Sequence, residues 1–244
     1  LLMNPDLDRK LDNMYDVRKV LLGLDVIHAA LESPGHVLTS RQEFIHVVRD
    51  QLCNALLKFV VSSEHKIFER TVQIFQSLFI NFREHIKQSI GVFVDNFFLP
   101  MLNSGNSGYD YKYTILQFLD RLADNPEYIL EIFANFDCDV KGKNICQRLV
   151  ETMTKLAKSE MREVTSVMTP QQEGTLRKRS LEILVKMLRN LNRSIDATVE
   201  LAEQAQQKLA ERRERSLEED SMDRREIAPE GLDSKQQMQN LVYK

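Results

Sequence analysis

Tryptophan is absent from this sequence, and glycine and proline are scarce, with 8 and 6 residues in a chain of 244. These two residues most often interrupt regular structure and form turns. A long chain with so few of them favours long helices connected by short loops. With 43% hydrophobic and 28% charged residues, the chain is too apolar to be disordered and long enough to bury a sizeable core.

Long apolar runs and a basic excess are also missing. No run approaches the roughly 18 apolar residues that a membrane-spanning helix needs. The net charge is -3, which argues against a nucleic-acid partner because such proteins carry clustered basic residues. The first residues lack the basic and then apolar pattern of a signal peptide. We therefore expect the chain to be an internal piece of a longer protein.

The sequence also lacks the patterns that accompany catalysis or metal binding. The three cysteines are odd in number and widely spaced, which argues against a disulfide framework and fits a reducing compartment. No glycine-rich phosphate loop, glycine-flanked serine or zinc-ligand spacing is present. We predict no catalytic residue, no cofactor and no metal, and surface or edge positions for the five histidines: His28, His36, His46, His65 and His85.

Helical periodicity dominates what is present. From Val17 to Leu191, apolar residues recur at steps of three and four, the spacing of one face of an amphipathic helix. The stripes predict about eight helices and no strand. Paired helices with short turns predict an all-α fold of the armadillo- or HEAT-like stack type, with a compact helical bundle as the alternative.

Two helix starts carry specific signals. Ser40 is followed three residues later by Glu43, the spacing of a capping box. Asn125 and Pro126 interrupt another apolar stripe. Because proline fits the first turn of a helix, this pair predicts the end of one helix and the start of the next.

The C-terminal part of the sequence changes character. Residues from Glu200 to Arg225 are rich in charges of both signs and poor in apolar side chains, which predicts a long, solvated, charged helix. Ala228-Pro229-Glu230-Gly231 ends this pattern. We predict a helical-repeat domain at 1–195, a charged helical extension at 196–226 and a flexible linker at 227–244.

The pentapeptide Asn135-Phe136-Asp137-Cys138-Asp139, here called the box, lies between two predicted helices. A cysteine nucleophile needs a positioned base, and none is close in sequence. Asn and Asp side chains accept backbone N–H groups in turns and at helix starts. We therefore favour a turn that is pinned into the core by Phe136 and Cys138 and braces neighbouring helices, over direct partner contact and, last, catalysis.

The box, followed by Asn144-Ile145-Cys146-Gln147-Arg148-Leu149-Val150, resembles the signature of a known family. It is similar to the HUS region (homology upstream of the catalytic domain) of the large BIG- and GBF-type Arf guanine-nucleotide exchange factors, and it matches the family box at all five positions. Residues 17–191 carry further similarity, which favours the BIG-like branch.

The resemblance implies a cytosolic protein that associates peripherally with Golgi or trans-Golgi membranes. It implies a non-catalytic regulatory module that docks on the N-terminal dimerisation region or the catalytic domain of the same exchange factor. The implied partners are those domains and Arf-family small GTPases, with membrane contact only indirect and a homodimer formed through the N-terminal region. Asn135, Phe136, Asp137, Cys138 and Asp139 would carry the interaction or bracing role. A free-standing helical-repeat adaptor in membrane trafficking or transport is the alternative.

Overall fold

A computed structural model describes residues 14–138, 142–158 and 168–226 of the chain. These ranges contain nine helices and no strand, which confirms the prediction of an all-α helical stack with a long charged C-terminal helix. The helices are α1 (Met14–Glu32), α2 (His36–Ser40), α3 (Gln42–His46, Val47–Leu52 and Cys53–Phe59), α4 (His65–Phe82), α5 (Lys87–Phe93, Val94–Phe98 and Leu99–Asn103), α6 (Tyr109–Asp124), α7 (Pro126–Phe136), α8 (Ile145–Lys158) and α9 (Pro170–Glu226).

Helix α4 lies at the centre of the packing and contacts α1, α3 and α6. Its apolar face is buried along its whole length because phenylalanine and isoleucine recur at helical spacing. Helix α8 packs against α5 and α7. Contacts between helices that are not consecutive in the sequence, such as α1 with α4 and α5 with α8, therefore hold the stack together.

Four phenylalanine rings from α4, α5 and α6 form the middle of the core. Phe75 stacks on Phe93 with ring centroids 4.1 Å apart and meets Phe118 at 5.6 Å. The ring of Phe98 lies 5.4 Å from that of Phe118. All four side chains are almost fully buried, so this cluster fixes the position of α5, the helix on which the box rests.

Helices α3 and α5 each contain a π-helical segment, at Val47–Leu52 and Val94–Phe98. A π turn accommodates one additional residue in an otherwise continuous helix, and such turns occur often at functional positions. The sequence predicted plain helices here, because the apolar spacing on either side of each segment still fits steps of three and four. The second segment carries Asp95, whose contacts are described below.

The two predicted helix starts have different outcomes. The prediction for Asn125 is confirmed: its side chain accepts the N–H of Glu127 at 2.9 Å, and α7 begins at Pro126. The prediction of a capping box at Ser40 is wrong. Ser40 ends the short helix α2, which was not predicted, and its hydroxyl donates to the carbonyl of His36 at 2.7 Å. Arg41 precedes α3 instead, without a side-chain cap.

The first part of α9 is fastened to α6 by polar contacts. Asp120 of α6, which is 7% exposed, accepts Lys186 Nζ at 2.7 Å and Arg179 Nη2 at 2.9 Å. Asn190 donates to the carbonyl of Ala123. Carboxylates buried in this way are stable only when paired with cations, so Asp120 determines where α9 lies on α6.

The chain divides into two compact units, Leu1–Arg193 and Ser194–Lys244. In the second unit, every side chain from 195 to 213 is exposed. The charged helix predicted at 196–226 falls in the part of α9 that belongs to this unit. The domain limits at 195 and 226 stay predictions, and the predicted linker at 227–244 lies outside the described residues. Among the described residues, no helix is both long and apolar enough to cross a membrane.

Candidate functional site

The structure places the box partly in a helix. Asn135 and Phe136 form the last residues of α7, and only Asp137 and Cys138 lie in the turn that follows. The expectation of a turn across the whole box is therefore wrong at its first two residues. The reason is that Ile129, Ile132 and Phe136 continue one helical stripe. Asp139 lies outside the described residues.

Asp137 joins the end of α7 to the start of α8. One of its carboxylate oxygens accepts the backbone N–H of Cys146 at 2.8 Å, and the other accepts the N–H of Gln147 at 2.9 Å. These N–H groups lie in the first turn of α8, where no carbonyl of the same helix can reach them. The negative carboxylate also faces the positive end of the helix dipole. Asp137 therefore performs the acceptor role at a helix start that was expected for the aspartates.

Phe136 holds α7 against α5. Its ring is partly buried against the core and lies directly over Gly91, at a point where α5 has no side chain. A Cβ atom on Gly91 would come within 3.1 Å of Phe136 Cε1, which is closer than carbon atoms pack without strain. Glycine at 91 thus permits the close approach of the two helices.

Three polar contacts attach the box and the residues after it to α5. Lys87 Nζ donates to Asn135 Oδ1 at 2.8 Å. Further along α5, Asp95 is paired with Lys143 at 2.9 Å and with Arg148 of α8. Burial raises the pKa of the Asp95 carboxyl, but the hydrogen bonds from Lys143 and Arg148 outweigh it and leave the pKa below its usual range. The box and both of its flanking helices are therefore bound to α5.

The prediction that Cys138 is buried is wrong, because its side chain is exposed. The turn directs Cys138 away from the core, and among the described residues of the box Phe136 supplies the apolar contact. Cys146 is the buried cysteine of this region. Burial, together with the negative charge of Asp137, raises the pKa of its thiol to about 11, so Cys146 stays protonated and packs as an apolar side chain.

Sequence reasoning missed the α5 half of this site. Lys87, Gly91 and Asp95 lie 40 or more residues before the box, and no spacing rule connects such distant positions. Gly91 offered one signal, since an isolated glycine within a helical pattern often marks close packing. At the other side of the site, Asn144 has a positive φ of 48° directly before α8, a backbone region that asparagine tolerates.

A groove opens beside the box, between α3 and the start of α5, with a volume of about 650 Å³. Its lining combines charged and polar side chains of both signs with the apolar Leu57, Ile86 and Val92, and Lys87, the residue that binds Asn135, forms part of it. The other lining residues include Arg49, Asp50, Asn54, Glu84 and His85. Within the described ranges, no three His, Cys, Asp or Glu side chains are arranged to hold a metal ion. The arrangement provides hydrogen-bonding groups for a polar partner surface.

We expect Asp137→Ala to lower the free energy of unfolding by about 1–2 kcal/mol, because loss of a capping side chain leaves first-turn N–H groups without an acceptor. Asp137→Asn keeps one acceptor and should lose less. Urea denaturation measures both. Glu84→Ala removes an exposed carboxylate and serves as control, with a change below about 0.5 kcal/mol. Equal stabilities of Asp137→Ala and the wild type would show that the cap contributes nothing.

The lowered pKa of Asp95 predicts a pH dependence of stability. The ionised carboxylate is favoured in the folded state, so its contribution is complete above the unfolded aspartate pKa of about 3.9. It is lost as the pH falls through the lower folded pKa. The wild type should therefore exceed Asp95→Asn in stability at pH 7, and this difference should shrink below about pH 4. Urea midpoints of both proteins at pH 7, 5, 4 and 3 measure it. A difference that is independent of pH would contradict the ion pairing.

Comparison with known proteins identifies the family to which this stack of helices and its box belong. A family model described as the Mon2/Sec7/BIG1-like HUS domain matches residues 1–145. The chain belongs to this Sec7-like HUS domain family. The resemblance drawn from the box is thereby confirmed.

The curated relatives agree with the family model. The brefeldin A-inhibited guanine nucleotide-exchange protein 1 of Homo sapiens is 34% identical over 175 residues, which cover 72% of this chain and 9% of that protein. The brefeldin A-inhibited guanine nucleotide-exchange protein 4 of Arabidopsis thaliana is 31% identical over 193 residues, which cover 79% of this chain and 11% of that protein. Exchange protein 3 of the same plant is 30% identical over 206 residues, which cover 84% of this chain and 12% of that protein. The chain thus spans about a tenth of the length of these relatives.

Proposed function

We propose that this chain is a non-catalytic regulatory and protein-interaction module of a Golgi Arf guanine-nucleotide exchange factor. It docks on the N-terminal dimerisation region or on the catalytic domain of that factor, and it controls exchange and membrane recruitment. Its partners are these domains and Arf-family GTPases. The protein is cytoplasmic and associates peripherally with Golgi membranes through its partners. The observation that carries the proposal is membership of the HUS family together with relatives that are named exchange proteins.

The contacts of the box support a role in shaping a surface. Both carboxylate oxygens of Asp137 accept backbone N–H groups, and the side-chain oxygen of Asn135 accepts Lys87. A catalytic group must be able to reach a substrate or a proton that it transfers. Here the side chains of Asn135 and Asp137 are engaged in fixing α5, α7 and α8 relative to each other, and this supports the shape of the groove beside Lys87.

The groove supports a protein partner of mixed charge. Arg49 and Asp50 on one wall and Lys87 on the other place both signs within one concave surface. Such surfaces increase specificity because a wrong partner meets like charges. The box would then act on the partner indirectly, by holding Lys87 and the start of α5 in place.

Binding of the purified chain to two separately purified proteins tests this function: the N-terminal dimerisation region and the catalytic domain of a BIG-type exchange factor. Isothermal titration calorimetry is expected to show binding to at least one of them. Arg49→Glu reverses a charge in the groove and should weaken binding at least tenfold, about 1.4 kcal/mol. Arg212→Glu makes the same change on the second unit and should leave the affinity unchanged.

Two outcomes would count against the proposal. Absence of binding to both regions, together with a correctly folded chain, would favour a helical-repeat adaptor with a partner outside the exchange factor. Equal loss of affinity in Arg49→Glu and Arg212→Glu would show a nonspecific electrostatic contact rather than docking in the groove.

A further inference from the structure

A second cavity opens where the residues after α3 and the end of α5 meet the start of α6, with a volume of about 450 Å³. This volume falls in the range of about 300–1,000 Å³ that small-ligand sites occupy. None of the described residues that line the cavity is charged. A charged ligand would lose its hydration here without gaining a counter-ion, so the cavity is suited to an uncharged ligand.

The floor of the cavity is apolar. Val60 and Met101 line it and are 0% and 7% exposed. Tyr111 lines one side, and its ring packs against those of Phe68 and His65 with centroid distances of 5.0 and 5.2 Å. Aromatic rings pair favourably with further rings, and the methionine thioether makes favourable contacts with aromatic rings. The floor therefore favours an aromatic group over an aliphatic one.

The polar part of the lining carries neutral hydrogen-bonding side chains, among them Ser62, Ser104 and Asn106. Ser62 Oγ accepts the N–H of Glu64 at 3.2 Å, and Ser104 Oγ accepts the N–H of Asn106 at 3.2 Å. A serine hydroxyl that accepts one hydrogen bond still has its own hydrogen to donate. The two serines can therefore donate to a hydroxyl or carbonyl oxygen of a ligand.

Hydrogen bonds within the chain hold the walls of the cavity in place. Tyr111 Oη donates to the carbonyl of Ser63, which joins the start of α6 to the connection between α3 and α4. The N–H of Ser104 donates to the carbonyl of Pro100 at 2.9 Å and fixes the beginning of the connection between α5 and α6. A pocket that is already formed loses little conformational freedom when a ligand binds, and this favours affinity.

We propose that this cavity, here called the neutral pocket, binds a small uncharged aromatic group that carries a hydroxyl or amide oxygen. The ring lies on Val60 and Met101 beside Tyr111, and the oxygen accepts a hydrogen bond from Ser62 or Ser104. The same chemistry occurs in the tyrosine side chain of a partner protein and in free phenols. The neutral pocket shares no residue with the box or with the groove beside Lys87, so the proposal stands independently of the proposed function.

Three ligands with the same phenol ring test the selection by charge: neutral 4-hydroxyphenylacetamide, anionic 4-hydroxyphenylacetate and cationic tyramine. The intact chain, labelled at its methionine methyl groups, is titrated with each ligand up to about 10 mM and followed by NMR. The variant Met101→Leu assigns the Met101 signal. The amide should shift this signal saturably, with a dissociation constant in the millimolar range that is typical of so small a ligand. Both charged ligands should bind at least about tenfold more weakly.

Gly108→Leu and Gly35→Leu provide a blocking variant and its matched control. Gly108 precedes α6 with φ -62° and ψ 156°, and Gly35 precedes α2 with φ -60° and ψ 160°, so leucine fits the backbone at both positions. A Cβ atom at 108 would lie 3.7 Å from Tyr111 Cδ2, an ordinary contact at the lining of the neutral pocket. Gly108→Leu should weaken binding of the amide at least about fivefold, and Gly35→Leu should leave it unchanged. Circular dichroism verifies that both variants keep their helix content.

Asn106→Asp tests the selection by charge from the side of the protein. Asn106 is exposed, and the substitution keeps the shape of the side chain while adding a negative charge to the lining. Tyramine should then bind at least about threefold more tightly than it binds the wild type, and 4-hydroxyphenylacetate should bind more weakly.

The capped peptide acetyl-Gly-Gly-Tyr-Gly-Gly-amide distinguishes the two sources of the ligand. Tighter binding of the peptide than of N-acetyl-tyrosinamide supports the tyrosine of a partner protein, whereas weaker binding supports a free small molecule. A Met101 signal that does not move with up to about 10 mM of the neutral amide would overturn the proposal. Equal affinities for the three phenols, or an unchanged affinity in Gly108→Leu, would also overturn it.

Discussion

Gly91→Val is expected to lower the free energy of unfolding by about 3 kcal/mol, because the new side chain would enter the space of the Phe136 ring. Even the Cβ atom alone would lie 3.1 Å from Phe136 Cε1, and valine adds two methyl groups beyond it. The ring is held by the core on its other side, so α7 would have to move away from α5. Denaturation in urea measures the loss.

A double-mutant cycle attributes this loss to the box. In a Phe136→Ala background the space of the ring is empty, and Gly91→Val should then cost less than about 1 kcal/mol, a coupling of about 2 kcal/mol. Gly23→Val provides the matched control, because no atom lies within 4 Å of the position of its Cβ. Equal costs of Gly91→Val in both backgrounds would show that Phe136 does not brace α5.

Asp120→Ala should lower the free energy of unfolding by about 2–3 kcal/mol, because it leaves two cations of α9 without their shared buried carboxylate. Asp120 is the more buried partner, at 10% side-chain exposure, whereas Lys186 and Arg179 are about a third exposed. Water can therefore solvate the cations in part, which keeps the expected loss below that of a fully buried pair.

Asp124 supplies the control for this prediction. It binds the same Lys186 Nζ at 2.7 Å, but its side chain is 59% exposed. Asp124→Ala should therefore cost less than about 1 kcal/mol, as exposed ion pairs generally do. If the two variants were equally stable, the buried carboxylate would not be what fastens α9 to α6.

The long helices were predictable from the sequence because each contains enough local information, whereas the five-residue helix α2 was not. The phenylalanine and isoleucine residues of α4 keep a helical spacing over five turns, and Asn125-Pro126 marks a boundary through local chemistry alone. Ser40 shows the limit of such signals. The same residue pattern that forms a capping box also allows a serine to end a short helix by donating to the carbonyl four residues back.

The box was predictable in its type of chemistry but not in its partners. The acceptor role of Asp137 follows from the residue type, since an aspartate before a helix accepts N–H groups. Its surroundings depend on Lys87, Gly91 and Asp95, which only the folded chain brings near. Cys138 was misplaced for the same reason: apolar character alone does not determine which of two turn residues faces the core when one large ring already fills the space.

The rate of GDP release from an Arf-family GTPase tests the proposed regulatory role most directly. It is measured with the catalytic domain of a BIG-type exchange factor, first alone and then with increasing amounts of this chain. The proposal predicts a saturable change in the exchange rate that is weakened by Arg49→Glu and retained by Arg212→Glu. An exchange rate that stays constant up to 100 µM of folded chain, with and without the N-terminal dimerisation region, would contradict it.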